Sequence, residues 1–140
     1  MKKIVYTLFV AVLLGSCSKN IAIEDIELLN GYWEINEVET PEGESKAFES
    51  NNHADYFQLN EMKGIRTKIV SQLDGTIQSN GLQENFMIKD SANALYLNYQ
   101  TEFSKWTEKL ERLNENELII VTKNNIRYTY KRFIPININE

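Results

Sequence analysis

The chain has 140 residues, a formal net charge of −5 and a single cysteine. A lone cysteine excludes a disulfide within the chain and does not make a zinc site. The acidic balance disfavours electrostatic binding of nucleic acid or of an anionic membrane surface, so no nucleic-acid partner is expected. The length suits one domain, which buries about two-thirds of its unfolded surface.

The N-terminal segment has the layout of a signal peptide. Two lysines precede an apolar run at 4–14, which is shorter than the about 20 residues that a membrane-spanning helix needs. The sequence LLGSC, ending at Cys17, resembles the lipobox of bacterial lipoproteins. The resemblance implies that residues 1–16 are removed and that Cys17 carries acyl chains, each buried methylene of which contributes about 0.8 kcal/mol to anchoring.

The residues around Cys17 predict where the protein resides. Ser18 follows the cysteine, where some lipoproteins have aspartate. By the sorting rule of Gram-negative lipoproteins, serine favours the outer membrane over the inner one, so we expect a lipid-anchored protein of the Gram-negative cell envelope. Residues 17–28 predict a lipidated tether with a short cap helix, because IAIEDIELL at 21–29 is long enough for one or two helical turns.

Beyond the tether, short apolar segments alternate with turn signals, a pattern typical of all-β domains. The polar segment at 39–52 predicts a loop, and Asp74-Gly75 is typical of a tight hairpin turn. Because such a meander hides its edges by closing, we expect a small antiparallel barrel of about eight strands at 29–134 and a polar tail at 135–140. The predicted strands are 31–38, 54–59, 63–73, 76–80, 84–90, 94–100, 117–123 and 126–133.

One segment, at 101–113, allows two interpretations. Its apolar residues Phe103, Trp106, Leu110 and Leu113 recur at the spacing of an amphipathic helix. The alternative is a strand that leads into a turn. The family pattern described next favours the strand, and we expect a strand.

Several segments resemble lipocalin-like domains. LNGYWEI at 29–35 resembles their L-x-G-x-W opening, in which glycine and tryptophan begin the first strand. YTYKRF at 128–133 is similar to their last strand, in which a basic residue packs over that tryptophan. YFQL, QLDGT and LYLNY are similar to segments of small lipocalin-like lipoproteins of Gram-negative bacteria. The resemblance covers residues 28–134 and implies a lipocalin-like barrel, although the T-D-Y motif and the long helix after the barrel are missing.

The alternation of side chains along a strand predicts how the two ends of this barrel meet. Tyr128, Tyr130 and Arg132 share the more apolar face of the last strand. On that face Arg132 would cover Trp33 in a cation–π contact worth about 0.5–2 kcal/mol. If the strand ends earlier, Arg132 lies in solvent instead. The charged pair Arg66 and Lys68 is predicted on an outward, solvated face.

Aromatic side chains are predicted to line the barrel interior, and they support two interpretations. Small barrels are often filled by their own side chains, which would give a solid core. Alternatively, an apolar cavity would hold a ligand whose carboxylate or other polar head group contacts Tyr130 and Arg132. The candidate set is Trp33, Tyr56 or Phe57, Phe86, Tyr96 or Tyr99, Trp106, Tyr128 and Tyr130. The residues predicted to bind a ligand are Trp33, Phe57, Phe86, Tyr128, Tyr130 and Arg132.

No motif in the sequence points to catalysis or to a cofactor. His53 is the only histidine, and the acidic residues at 37–44 lack the spacing of a calcium loop. We therefore expect no enzyme, no catalytic residue, no metal and no cofactor. The expected function is that of a monomeric, membrane-anchored lipocalin-like lipoprotein that binds a small hydrophobic or amphipathic ligand. The alternative is a structural or interaction lipoprotein of the cell envelope with a solid barrel.

Overall fold

The computed structural model describes residues 20–136, so the predicted signal peptide, Cys17 and most of the polar tail lie outside the described residues. Over that range the chain forms a 3-10 helix at Ile23–Leu29 and nine strands. The strands are β1 (Gly31–Glu39), β2 (Ser45–Ala47), β3 (His53–Asn60), β4 (Lys63–Ser71), β5 (Ile77–Ser91), β6 (Ala94–Gln100), β7 (Lys105–Leu113), β8 (Glu117–Thr122) and β9 (Arg127–Phe133). Within residues 20–136, no helix is long and apolar enough to cross a membrane.

The strands form one closed antiparallel barrel. Each strand from β3 to β8 pairs with the next, while β1 pairs with β3 on one side and with β9 on the other. The short strand β2 stands outside this circle and pairs only with the end of β1. The prediction of an all-β antiparallel meander barrel of about eight strands is confirmed.

The two ends of the barrel differ in their connections. One end, which we call the closed end, carries the 3-10 helix and three tight turns, and Ile26 and Leu29 of the helix are buried in the core. The other end, which we call the mouth, carries the longer connections. These are the segment at 40–52 that contains β2 and the loops at 72–76, 101–104 and 123–126.

The interior next to the closed end is filled by side chains of the chain itself. Trp33, Phe57, Leu97 and Leu118 are completely buried and belong to one apolar cluster. Burying a large apolar side chain contributes about 1.5–3 kcal/mol, so this cluster is the main source of stability. The solid-core interpretation therefore describes the half of the barrel next to the closed end.

The ambiguous segment at 101–113 forms the loop at 101–104 and strand β7, as the family resemblance favoured. A bulge between Leu110 and Arg112 explains its misleading helical period. The extra residue shifts the alternation, so that Leu110 and Leu113, three positions apart, are both buried. Phe103, the first member of the apparent helical stripe, is 88% exposed in the loop.

Two other segments differ from the expected pattern. The predicted strands 76–80 and 84–90 form one strand, β5, because its pairing with β4 continues across an irregularity between Ser79 and Gln83. Gly81, with a φ of 76°, provides the left-handed backbone conformation at this point. The predicted loop at 39–52 contains strand β2, whose three exposed residues, Ser45–Ala47, are too few to give an apolar alternation in the sequence.

Candidate ligand-binding site at the barrel mouth

At the closed end, the first and last strands are joined through Arg132. Its guanidinium lies 3.7 Å from the centre of the Trp33 ring, so the predicted cation–π contact is confirmed. Arg132 also donates hydrogen bonds to three main-chain carbonyls, those of Asn30 at 2.7 Å, Leu28 at 2.8 Å and Glu115 at 3.0 Å. These contacts fasten the 3-10 helix and the β7–β8 turn to the barrel.

The glycine of the G-x-W motif is required by this joint. Gly31 has a φ of 116°, and a Cβ atom there would lie only 2.8 Å from the Nη1 atom of Arg132. The indole of Trp33 donates to the carbonyl of Leu29 at 2.9 Å, which fixes the ring under the guanidinium. The three carbonyls accept from three of the five guanidinium N–H groups, so the structure gives Arg132 a role in closing the barrel.

Halfway up the barrel, five charged side chains form what we call the polar layer: Asp55, Arg66, Lys68, Glu84 and Glu108. The three carboxylates face inward because each alternates with a core aromatic residue on its own strand. Arg66 and Lys68 face inward because they pair across from Glu84 and Asp55. The prediction that Arg66 and Lys68 form an outward, solvated face is wrong for Arg66, whereas the side chain of Lys68 is largely exposed. The side chain of Arg66 is only 8% exposed, because interior carboxylates compensate its charge.

Arg66 is the centre of the polar layer. Its Nε atom donates to Glu84 at 2.5 Å and its Nη1 atom to Glu108 at 3.2 Å, while its guanidinium lies 4.4 Å from the centre of the Tyr99 ring. Burial alone would lower the pKa of Arg66, but Tyr99, Glu108 and Glu84 together raise it above its ordinary value. The guanidinium is therefore positively charged at neutral pH.

Asp55 is the second centre of the polar layer. It accepts a hydrogen bond from the Nζ atom of Lys68 at 2.9 Å and one from the Tyr130 hydroxyl at 3.2 Å. Burial, and then the nearby Asp55 carboxylate, raise the pKa of Tyr130 well above its ordinary value. Lys68 extends toward the mouth, with 59% of its side chain exposed.

An aromatic stack continues the polar layer toward β7. The rings of Tyr99 and Trp106 are 4.9 Å apart and nearly parallel, and the Trp106 indole donates to Glu108 at 3.3 Å. The Tyr99 hydroxyl is buried and has no hydrogen-bond partner among the described residues. Burial raises the pKa of Tyr99 well above its ordinary value, so this hydroxyl keeps its proton.

Above the polar layer, β1 and β3 part and leave a cleft in the barrel wall. Their pairing ends at Trp33 and Asp55, beyond which β1 turns away to pair with β2. The cleft measures about 200 Å³, and its lining combines apolar residues, among them Ile35 and Phe48, with the charged Asp55 and Lys68. We call it the mouth cleft.

Phe48 separates the mouth cleft from a second cleft of about 440 Å³, which is lined by Val38, Lys46 and the half-buried Tyr128. The Nζ atom of Lys46 lies 5.1 Å from the centre of the Phe48 ring. The Phe48 amide donates to the Asn36 carbonyl at 2.9 Å, which holds this residue at the mouth.

The loop after Phe48 is fastened to the outer face of β1. Ser50 donates to the buried Glu34 carboxylate at 2.8 Å, and Lys131 pairs with the same carboxylate at 3.2 Å. The segment at 40–52 is therefore tied down on both sides of Phe48.

The predicted ligand-binding residues fall into three places. Tyr128 lines the second cleft at the mouth, Arg132 lies at the closed end, and Phe57, Phe86 and Tyr130 are buried between them. Trp33 is also buried, and it is one of the residues that line the mouth cleft. Of the alternatives in the aromatic set, Phe57 and Tyr99 face inward. Tyr56 stacks against Tyr32 on the outer face of the barrel.

Sequence reasoning missed Phe48 and the polar layer. The alternation of side chains contained a signal for three members of that layer, since Asp55, Glu84 and Glu108 each stand two residues from an inward aromatic residue. Those aromatic residues are Phe57, Phe86 and Trp106. Phe48 gave no such signal, because it lies in a segment that reads as a loop.

A larger groove lies on the outer wall, across strands β3 to β6. It measures about 740 Å³, and its polar lining comes mainly from amide side chains such as Gln58, Asn85 and Asn98, around the apolar Ile65 and Met87.

As for metals, residues 20–136 contain no group of three or more His, Cys, Asp or Glu side chains placed to hold an ion.

No protein-family model matches the chain, and no curated protein is similar to it in sequence. Among solved structures, the chain is similar to a lipocalin-like protein from Bacteroides uniformis, with 14% identity, a TM-score of 0.48, and coverage of 76% of this chain and 99% of that one. It is also similar to an uncharacterized protein from Bacteroides eggerthii, with 11% identity, a TM-score of 0.47, and coverage of 75% and 99%. Lobster apocrustacyanin A1 has 11% identity and a TM-score of 0.42, with 86% and 74% covered. The fold assignment rests on the strand order and closure of the barrel itself.

Proposed function

We propose that this protein is a lipid-anchored lipocalin-like lipoprotein of the Gram-negative cell envelope that binds a small amphipathic ligand at the mouth of its barrel. The observation that carries the proposal is the mouth cleft, whose lining combines Ile35 and Phe48 with Asp55 and Lys68. Ligand sites are mostly apolar with a few placed polar groups, and this cleft has that composition.

The volumes support a small ligand. The two clefts that Phe48 separates measure about 200 and 440 Å³, and ligand pockets in proteins usually measure about 300–1,000 Å³. The filled interior below the polar layer leaves the mouth as the place for the ligand. The proposed role is binding rather than catalysis, because the charged groups beside the cleft pair with one another.

The proposed anchor gives the barrel an orientation. Ile21 packs against the core cluster, and the 3-10 helix that follows lies at the closed end. The segment from Cys17 to Ile21 spans at most about 14 Å when fully extended. An acylated Cys17 would thus hold the closed end near the membrane, with the mouth pointing away from it. Metabolic labelling with palmitate tests this anchor, and Cys17→Ala should abolish the label.

The ligand proposal is tested with a chain that begins at Ser18, which keeps every strand of the closed barrel and needs no detergent. N-phenyl-1-naphthylamine, a neutral apolar dye, serves as the probe. We expect saturable binding that Phe48→Ala weakens about tenfold, a loss of about 1.4 kcal/mol. Phe103→Ala is the matched control, because Phe103 lies at the same end but is exposed in its loop. Absence of saturable binding, or equal effects of the two variants, would refute a site at the mouth.

A second candidate, an interaction lipoprotein, is favoured by the groove on the outer wall. Ile65 and Met87 lie in that groove, and Met87 is half exposed. Cross-linking in whole cells from position 87 should capture one envelope protein if the groove is an interface. Equal capture from position 89, which lies on the same face of β5 outside the groove, would argue against this role.

A further inference from the structure

Carboxylates outnumber cations in the polar layer. Asp55, Glu84 and Glu108 face two cations, Arg66 and Lys68, so one negative charge is in excess. The chain as a whole is also acidic, with a formal net charge of −5. Because charges interact more strongly away from water, an unbalanced carboxylate inside a barrel favours the approach of a cation.

The other charged and titratable groups at the clefts do not change this balance. Glu44 and Lys46 both line the second cleft and cancel each other. His53, at the edge of the mouth cleft, adds no formal charge. The excess negative charge therefore belongs to the polar layer itself.

The ammonium group of Lys68 marks the position beside Asp55 that a cationic head group would take. The lysine ammonium lies 2.9 Å from the carboxylate, while more than half of the Lys68 side chain is exposed. Ion pairs with an exposed partner are weak and exchange with solvent or other ions. The Tyr130 hydroxyl donates to the other oxygen of Asp55, so this carboxylate has a second partner besides the lysine.

Resting on the function proposed above, we propose that the ligand is a cationic amphiphile. Its ammonium replaces that of Lys68 at Asp55, and its apolar chain lies against Ile35 and Phe48. An anionic head group would instead meet a layer in which three carboxylates outnumber Arg66 and Lys68, so repulsion between like charges weakens its binding. The excess charge selects the sign of the head group, and the apolar wall holds the tail.

The experiment compares three probes of equal chain length: decylammonium, decanol and decanoate. Their dissociation constants are measured by tryptophan fluorescence with the chain that begins at Ser18, each variant first being shown to unfold cooperatively. Decylammonium should bind at least about tenfold more tightly than decanoate, with decanol between them, a difference of at least about 1.4 kcal/mol.

Two variants test the positions involved. Lys68→Met removes the competing ammonium and should tighten decylammonium binding several-fold while weakening decanoate binding. Glu84→Gln removes the excess charge and should reduce the preference for the cation. Glu61→Gln, at an exposed position of the closed end, is the matched control and should leave all three constants unchanged.

The outcomes separate this inference from the function on which it rests. Equal binding of the three probes, tighter binding of decanoate, or weaker binding of decylammonium to Lys68→Met would each overturn the cationic ligand and leave an amphiphile-binding mouth. If none of the probes binds, both the ligand class and the proposed function fail.

Discussion

The half of the barrel next to the closed end and the half next to the mouth are built from different chemistry. Trp33, Phe57 and Leu118, in the closed half, are completely buried. The open half contains Arg66 and its carboxylates, and above them a cleft beside Phe48. The difference indicates a division of labour, in which apolar packing at one end stabilises a rigid support and polar groups at the other end select what binds there.

Removing the central side chain of the closed half should have the largest effect. Trp33→Ala is expected to lower the free energy of unfolding by about 3–5 kcal/mol, because it leaves a cavity under Arg132. Phe103→Ala, at an exposed position of the mouth, is expected to change it by no more than about 0.5 kcal/mol. Urea unfolding measures both. An unchanged midpoint for Trp33→Ala would contradict a stabilising core in this half.

Substitutions in the polar layer test whether charged side chains of the open half also contribute to stability. Arg66→Met leaves Glu84 and Glu108 without their buried partner and should cost about 3 kcal/mol. Lys68→Met, in which water can replace the exposed ammonium, should cost less than about 1 kcal/mol. Equal urea midpoints for the two variants would show that Arg66 is as accessible to water as Lys68.

The buried hydroxyls of the open half should make the protein sensitive to alkali. Burial raises the pKa of both Tyr99 and Tyr130, so the folded state keeps protons that the unfolded state loses above pH about 10. Stability is thus fully present below that pH and falls above it by about 1.4 kcal/mol per pH unit for each tyrosine. Urea unfolding between pH 9 and about 11 should show this decline.

Single tyrosine variants assign the alkaline effect to the interior. Tyr99→Phe should make the decline shallower, whereas Tyr96→Phe should not, because Tyr96 lies on the opposite face of β6. A Tyr99→Phe variant whose stability falls as steeply as that of the unmodified chain would exclude the buried hydroxyl as the cause.

Strand alternation in the sequence predicted the barrel where the pairing is regular. It placed Tyr130 and Arg132 on the core side of β9, where Tyr130 is buried and Arg132 lies over the Trp33 ring. It was misleading at β7, where the bulge near Leu110 produces a spacing that resembles a helix. A bulge is defined by the pairing with another strand, so the sequence of one strand does not reveal it.

The polar layer shows what was harder to predict. Arg66 is separated from Glu108 by 42 positions, and only the closed barrel brings them together. Without knowledge of that partner, charge alone places an arginine in solvent. Ile69, on the opposite face of β4 from Arg66, is buried beside Ala54 in a separate apolar cluster, so apolar character does not mark the inward face of this strand.

The joint at Arg132 also has a consequence for how the protein folds. The contacts of this residue with Leu28 and Asn30 connect positions more than 100 residues apart in the chain. Contacts of such high sequence separation require a large loss of chain entropy and form late in folding. The edge of β1 that pairs with β9 therefore stays unpaired until the last strand has been synthesised. A chain cut before β9 leaves that edge open to other molecules, which makes truncated products of this protein prone to aggregation.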